Sequence, residues 1–253
     1  MNESKVYLWH IDYPEEANFI EAHYVLFLIK LAEKKLGVKY KKILDLACGI
    51  GRHHKYWREE GFEVYGVDVS KELIELAKKR NRGFKEYYVV KDMREVDYVE
   101  EFDVVVSWYT SFGYFSHEEN QRVLLNIYNA LKPYGIFILD YPIKFREGVH
   151  IIRHNDNYFE LEEVKKVSDY VLDHYAVLYK KVDENLVKVD ELKLRLTIYP
   201  PQVLKTMLEK IGFSILLVLT SRSTKRVKEF NLLDLIEAGV RRLEWIMYKP
   251  RQT

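Results

Sequence analysis

The sequence predicts a doubly wound α/β protein. Its mostly parallel, seven-stranded sheet is interrupted after the fifth strand by an antiparallel β insertion. Three observations predict this. From Ile43 to Asp140, short apolar runs alternate with helix-patterned segments, the rhythm of parallel strands joined by right-handed crossovers. From Tyr158 to Thr197 the rhythm gives way to apolar–polar alternation around Asp183-Glu184-Asn185, the pattern of an antiparallel hairpin or meander. After Tyr199 a helix and two strand-like runs return. The chain therefore divides into an N-terminal helical lid segment (1–40), an α/β core (41–145 with 200–253) and the insertion (146–199), which is expected to cover the acceptor side of a site.

Each element has its own signal. "YPEEANFIEAHYVLFLIKLAEKKLG" reads as helix, packed over or beside the sheet. "KKILDLAC" is a buried strand running into glycine, and "GRHHKYWREEGF" is a helix closed by Gly61, where a left-handed conformation is free of steric cost. "EVYGVDVS" is the second strand, and Ser70 caps the helix "KELIELAKKRN". "KEYYVVKDM" and "EFDVVVSWY" are the third and fourth strands. In "SHEENQRVLLNIYNALKPYG", Ser116 and Glu119 form a capping box, with Pro133 and Gly135 as the stop. "GIFILDYP" is the fifth strand. "PPQVLKTMLEKIGF" starts with proline in the first turn and ends at Gly212. "SILLVLTS" and "LEWIMYK" complete the sheet, with a helix expected near "LLDLIEAG".

Composition sets bounds. With 253 residues, 48% hydrophobic and 31% charged, the chain can bury one substantial core. A formal net charge of +1 argues against a dedicated binder of phosphate backbones. The single cysteine, Cys48, excludes an internal disulfide and a cysteine-rich zinc site, and no metal ligand set is expected. No secretory leader is visible and the apolar run Ile215 to Leu219 is too short to cross a bilayer, so a cytoplasmic protein with no membrane partner is expected. Abundant Lys and Glu with few Gln, Cys and Met fit a heat-adapted source.

The first strand ends in Asp45-Leu46-Ala47-Cys48-Gly49-Ile50-Gly51. In this fold, ligands lie at the carboxyl ends of the strands, where strand order reverses. Glycines at 49 and 51 let backbone N–H groups approach a ligand beside a helix N-terminus. Asp68 ends the next strand, where a carboxylate accepts hydrogen bonds from both hydroxyls of a ribose; capping the following helix is its alternative role. Asp92, followed by Met93, closes the third strand. A nicotinamide dinucleotide fits poorly: the place of the third fingerprint glycine is taken by His54, and Asp45 lies where it would repel a pyrophosphate. A phosphate-free adenosine with a positive centre fits better, and S-adenosylmethionine has that form.

These residues resemble the class I S-adenosylmethionine-dependent methyltransferases, a Rossmann-like family, along nearly the whole chain. "ILDLACGIGRHH", "VYGVDVS" and "KDM" resemble its first three motifs, and "FDVVVSWYTSFGYF" and "LKPYGIFILD" its fourth- and fifth-strand segments. The resemblance implies Asp45, Gly49 and Gly51 around the methionine portion, with Arg52 near its carboxylate. It implies Asp68 on the ribose, Val69 beside the adenine, Asp92 on the adenine amino group, Met93 against the ring and Trp108 near the sulfonium.

The acceptor is less constrained, because in-line methyl transfer needs chiefly alignment and exclusion of water, with a base only for a protonated or hydroxyl nucleophile. No Asn/Asp-Pro-Pro-Tyr/Phe segment follows the fourth strand, and Cys48 belongs to the cofactor turn, so a small-molecule acceptor is favoured over nucleic acid. Tyr109, Tyr114 and His150 are the catalytic or acceptor-side candidates, with Tyr141 and Tyr13 nearby in the same reading. His150 would serve as base. Of His53 and His54, one should face sheet or ligand and the other solvent. Arg195 would pair with an acidic acceptor or within the protein. The basic runs at 78–80 and 222–228 read as solvated faces. An RNA or protein methyltransferase, or a catalytically silent cofactor-binding subunit of a partner, are the alternatives. The oligomeric state is open.

Overall fold

The structure is a computed structural model and describes residues 14–153, 156–220 and 239–251. Tyr13, the basic run at 222–228 and the helix expected over 232–238 lie outside the described residues.

The main sheet contains β1 (Lys42–Leu46), β2 (Glu63–Asp68), β3 (Tyr88–Val90), β4 (Phe102–Ser107), β5 (Leu131–Pro142), β10 (Ser214–Thr220) and β11 (Arg242–Tyr248). Its order is β10-β11-β5-β4-β1-β2-β3. β1 to β5 pair in parallel, and β11 is antiparallel to both β5 and β10. Because both faces are covered, the strands are apolar on both. Leu44, Val105, Phe137 and Leu139 face α4 (His117–Ala130) and α5 (Pro201–Ile211). Ile43, Val104, Val106, Ile136 and Ile138 face α1 (Glu15–Leu36) and Trp57 of α2 (His54–Glu59). α3 (Lys71–Arg80) buries Ile74 and Ala77 against Cys48 and Tyr88.

The local signals acted as expected at most ends. Ser70 accepts from Leu73 N–H, Ser116 and Glu119 form the reciprocal capping box, and Gly37 and Gly212 close α1 and α5 in the left-handed region. Three elements differ. α4 stops at Ala130 rather than at Pro133, because Leu131 turns extended and pairs with Phe102 at the foot of β4. The third strand is only three residues long, since Lys85–Tyr87 form a 3-10 turn before it. α1 is first a cover for the sheet: Ala22, Val25, Leu26, Ile29 and Ala32 are buried in the core. Among the described residues, no helix is long and apolar enough to cross a membrane.

The insertion is a separate four-stranded antiparallel meander of β6 (Gly148–Arg153), β7 (Tyr158–Lys166), β8 (Val171–Val182) and β9 (Asn185–Thr197). It starts one hairpin earlier than the alternation at Tyr158 indicates. Asp183 turns the β8–β9 hairpin with a positive φ of 55°. At its base, Thr197 N–H donates to Gly113 O at 2.7 Å. A Cβ on Gly113 would come within 2.4 Å of Thr197 O, so only glycine fits there.

Candidate active site

A cavity of about 300 Å³ opens at the carboxyl ends of β1 to β4. β1 lies between β2 and β4, so this is the point where strand order reverses. The cavity is built from four successive loops, in keeping with the position of each motif in the sequence.

The β1–α2 loop is a tight backbone turn. Ala47, Gly49 and Gly51 all have positive φ, of 62°, 53° and 62°. Cys48 N–H donates to Val67 O and Gly51 N–H to Cys48 O, both at 3.0 Å. The two glycines do different work. A Cβ on Gly49 would meet nothing within 4 Å, and the residue lines the cavity, so its missing side chain leaves room for a ligand. A Cβ on Gly51 would lie 2.8 Å from the Tyr88 hydroxyl. Gly51 does not line the cavity; it lets Tyr88 and Asn81 pack against the turn. This differs from the ligand contact expected for it.

Asp68 closes β2 with its carboxylate in the cavity wall. Oδ2 accepts from Gly49 N–H and Oδ1 from Ser70 N–H, both at 2.9 Å. Burial raises its pKa, opposed by those backbone donors. Asp68 thus ties the first two loops together, while Ser70 performs the helix capping. Val69, next in the chain, is half exposed on the cavity rim. Asp92 and Met93 also line the cavity. The Asp92 carboxylate is held by Arg94, whose Nη2 lies 2.7 Å from Oδ2, and this pairing lowers its pKa. Arg94 also bonds Glu119 at 2.5 Å.

Behind the first loop lie two buried polar networks. His54 bonds Asp45 Oδ2 through Nε2 at 2.9 Å and the Tyr88 hydroxyl through Nδ1 at 2.7 Å. Burial lowers the pKa of His54 despite Asp45, so a neutral ring donates to the carboxylate and accepts from the phenol. Arg52 donates to Glu21 Oε2 at 2.6 Å and to Asn18 at 3.0 Å, and His53 Nε2 lies 3.3 Å from the same Glu21 oxygen. Burial pushes His53 down to about 4; Glu21, although burial raises it, is held at about 2 by His53 and Arg52. Both histidines are buried, so the expected split between ligand and solvent does not occur. The α2 helix is too short and too deeply covered by α1 and Tyr88 to expose either. Glu21 and Asn18 are functional neighbours that the sequence did not flag, because their partners stand 31 and 34 residues away.

The β4–α4 loop supplies Trp108, Tyr109, Ser111, Tyr114 and Phe115. Tyr109 and Thr110 both have positive φ, of 58° and 65°, a conformation that a β-branched residue adopts only under restraint. The restraint comes from β5 and β11. Tyr109 N–H donates to Asp140 Oδ2 at 3.0 Å, and Arg242 Nη1 donates to Thr110 Oγ1 at 2.8 Å. The Tyr109 ring lies between the Arg52 and Arg242 guanidiniums, 5.8 and 5.6 Å from its centre.

Of the expected site residues, Asp45, Gly49, Arg52, Asp68, Val69, Asp92, Met93, Trp108, Tyr109 and Tyr114 line one cavity. His150 does not: it sits on β6, bonded to Arg146 O at 3.0 Å. Tyr141 is wholly buried, donating to Thr197 O at 2.9 Å and accepting from Tyr199 N–H, and is a core tyrosine rather than an acceptor residue. Arg195 pairs with Asp173 across the insertion. Cys48 is buried and its thiol pKa is raised by burial, which removes it as a nucleophile.

A doubly wound sheet with an acid-lined cavity at its switch point places the chain among the ligand-binding open-sheet α/β proteins. Residues 43–135 match a family model described as a methyltransferase domain. A glycine/sarcosine N-methyltransferase of Aphanothece halophytica is 30% identical over 184 residues, which are 68% of this chain and 66% of the relative. A dTDP-4-amino-2,3,4,6-tetradeoxy-D-glucose N,N-dimethyltransferase of Saccharopolyspora spinosa is 30% identical over 112 residues, 43% of this chain. The chain spans less than two thirds of the length of these curated relatives, 66% of the first and 44% of the second. Among solved structures, an S-adenosylmethionine-dependent methyltransferase from Clostridium acetobutylicum superposes with a TM-score of 0.76 at 18% identity, over 96% of this chain and 94% of that one. The chain belongs to the class I S-adenosylmethionine-dependent methyltransferase family.

S-adenosylmethionine is the methyl donor of that family. The residues present suit it: the open space at Gly49 leaves room for a ligand, and Asp45 and Asp68 in the cavity wall favour a cationic, hydroxyl-bearing ligand over a phosphate.

Proposed function

We propose that this chain transfers the methyl group of S-adenosylmethionine to a small-molecule acceptor. The observation that carries the reading is that one cavity joins Asp68 and Gly49 to the aromatic residues Trp108, Tyr109 and Tyr114. When bound, the donor supplies an electrophilic methyl group on a sulfonium. Asp68 would hold its ribose, Val69 and Met93 its adenine, Asp92 the adenine amino group, and Asp45 with Arg52 the amino-acid end. The aromatic wall of the β4–α4 loop excludes water and orients the acceptor, the two contributions that matter most in an in-line displacement.

With His150 outside the cavity, Tyr109 and Tyr114 are the acceptor-side candidates in the wall. His53, held near 4, and the buried Cys48 are poor bases for an ammonium, whereas an acceptor arriving as a neutral nucleophile needs none. The relatives named above act on an amino acid and an amino sugar, which supports a small acceptor.

The test is direct. Purified protein is titrated calorimetrically with adenosylhomocysteine and with NADH, then supplied with labelled methyl donor and a panel of small amines and carboxylates. Binding of adenosylhomocysteine with label transfer to a panel member supports the reading. NADH binding without adenosylhomocysteine binding ends it. Label moving only to RNA or protein assigns the alternative acceptor class, and adenosylhomocysteine binding with no transfer to any acceptor class assigns a silent subunit.

A further inference from the structure

We propose that the chain forms a two-fold dimer by pairing β6 with β6 of a second copy, giving a continuous eight-stranded antiparallel sheet. Exposed strand edges template further pairing unless they are blunted, and among the described residues three of the four sheet edges are blunted. β3 is three residues long. β10 carries a bulge at Leu216, and β9 one at Val189 beside Lys188. β6 has neither: its register with β7 is unbroken from Gly148 to Arg153, and it contains no proline or lysine. Its side chains suit a covered edge rather than a wet one, with Val149 62% and Ile151 76% exposed.

The occupant follows from symmetry and charge. In an antiparallel pair, opposed residues share a face, so a two-fold axis normal to the sheet must pass through a residue. Placed at His150, the axis sets Val149 opposite Ile151 of the partner subunit on both sides. It also sets Glu147 opposite Arg153 of the partner subunit. Apolar residues meet at the centre, and opposite charges meet at both ends. β6 is thus self-complementary, and a second copy satisfies the edge that no other described strand pairs with, and its charges, together. The present partner of Arg153, Asp156, is an exposed pair that exchanges at little cost.

Light scattering on the full chain at micromolar concentration should give twice the monomer mass. Ile151→Lys should shift it to monomer while circular dichroism and melting stay unchanged, since the side chain is exposed. Glu147→Arg should weaken the dimer at least tenfold, and Glu147→Arg with Arg153→Glu should restore it. His150→Cys should self-link as a direct disulfide under mild oxidation, whereas Val149→Cys alone, offset by two residues from its copy, should not. A monomer at all concentrations, a dimer indifferent to Ile151→Lys, or self-linking through Ile151→Cys instead of His150→Cys would overturn the proposal.

Discussion

Asp140 and Arg242 stand on neighbouring strands, β5 and β11, and join through both carboxylate oxygens, Nε to Oδ1 at 2.8 Å and Nη2 to Oδ2 at 2.7 Å. Asp140 is nearly wholly buried, and the pair continues into the backbone of Tyr109 and the hydroxyl of Thr110. Two residues far along the chain therefore hold the strained turn that presents the aromatic wall of the cavity.

Removing half of this pair leaves a buried carboxylate uncompensated. Arg242→Met is expected to lower stability by about 2 kcal/mol, below the full cost of breaking a buried pair because the arginine side chain is a quarter exposed. Arg242→Lys should recover only part of it, since an ammonium cannot make the two-pronged contact. Urea unfolding measures both, and an unmoved midpoint in Arg242→Met would show that the clamp contributes nothing.

Asp68→Ala removes the proposed ribose acceptor and the tie to Gly49. Adenosylhomocysteine affinity should fall by about 1.5–3 kcal/mol, the range for hydrogen bonds lost from a buried carboxylate. Calorimetry returning the same affinity would take Asp68 out of ribose binding.

The two glycines of the first turn should separate on substitution. Gly51→Ala forces a Cβ against the Tyr88 hydroxyl at positive φ and should destabilise the fold by about 2–3 kcal/mol. Gly49→Ala meets open space, so its stability loss should stay near 1 kcal/mol, from backbone strain alone, while ligand affinity drops. Melting curves paired with adenosylhomocysteine titrations decide the matter; equal stability losses would contradict the assignment.

His53 titrates at about 4 in the folded chain and near 6.5 unfolded, so the unfolded state binds the extra proton between these values. Its contribution is fully present above pH 6.5 and is lost as pH falls toward 4, by about 3 kcal/mol over that window. Glu21, held at about 2, adds a loss of the same sign at lower pH. His53→Asn should flatten the dependence of unfolding free energy on pH between 6.5 and 4; a slope identical to that of the parent would count against a neutral buried His53.

The core strands, the α4 cap and the cavity motifs were legible because they are local. A strand ending in Gly-x-Gly, a carboxylate at each of three strand ends and a Ser-x-x-Glu box each declare themselves within a few residues. What stayed hidden depends on distant partners. Gly51 read as a ligand contact until Tyr88, thirty-seven positions later, filled its space. His150 and Tyr141 read as acceptor residues because sequence gives the loop but not the direction in which a side chain leaves it. The buried grip of α1 on Arg52 and His53 arises from Glu21, which looks in isolation like one more surface acid of an amphipathic helix.

The bond between Gly113 and Thr197 has a consequence for how such a protein diversifies. It plants one end of the meander directly on the turn that carries Tyr114 and Phe115, with the β7–β8 turn beside it through the Ile198 N–H bond to Tyr170 O, while the hairpin tip at Asp183 lies at the opposite end of β8 and β9. Insertions at that tip therefore leave the cavity untouched. A change of a single residue at the footing re-aims its aromatic lining, so new acceptors are reached by altering the root of the appendage and new neighbours by altering its crown.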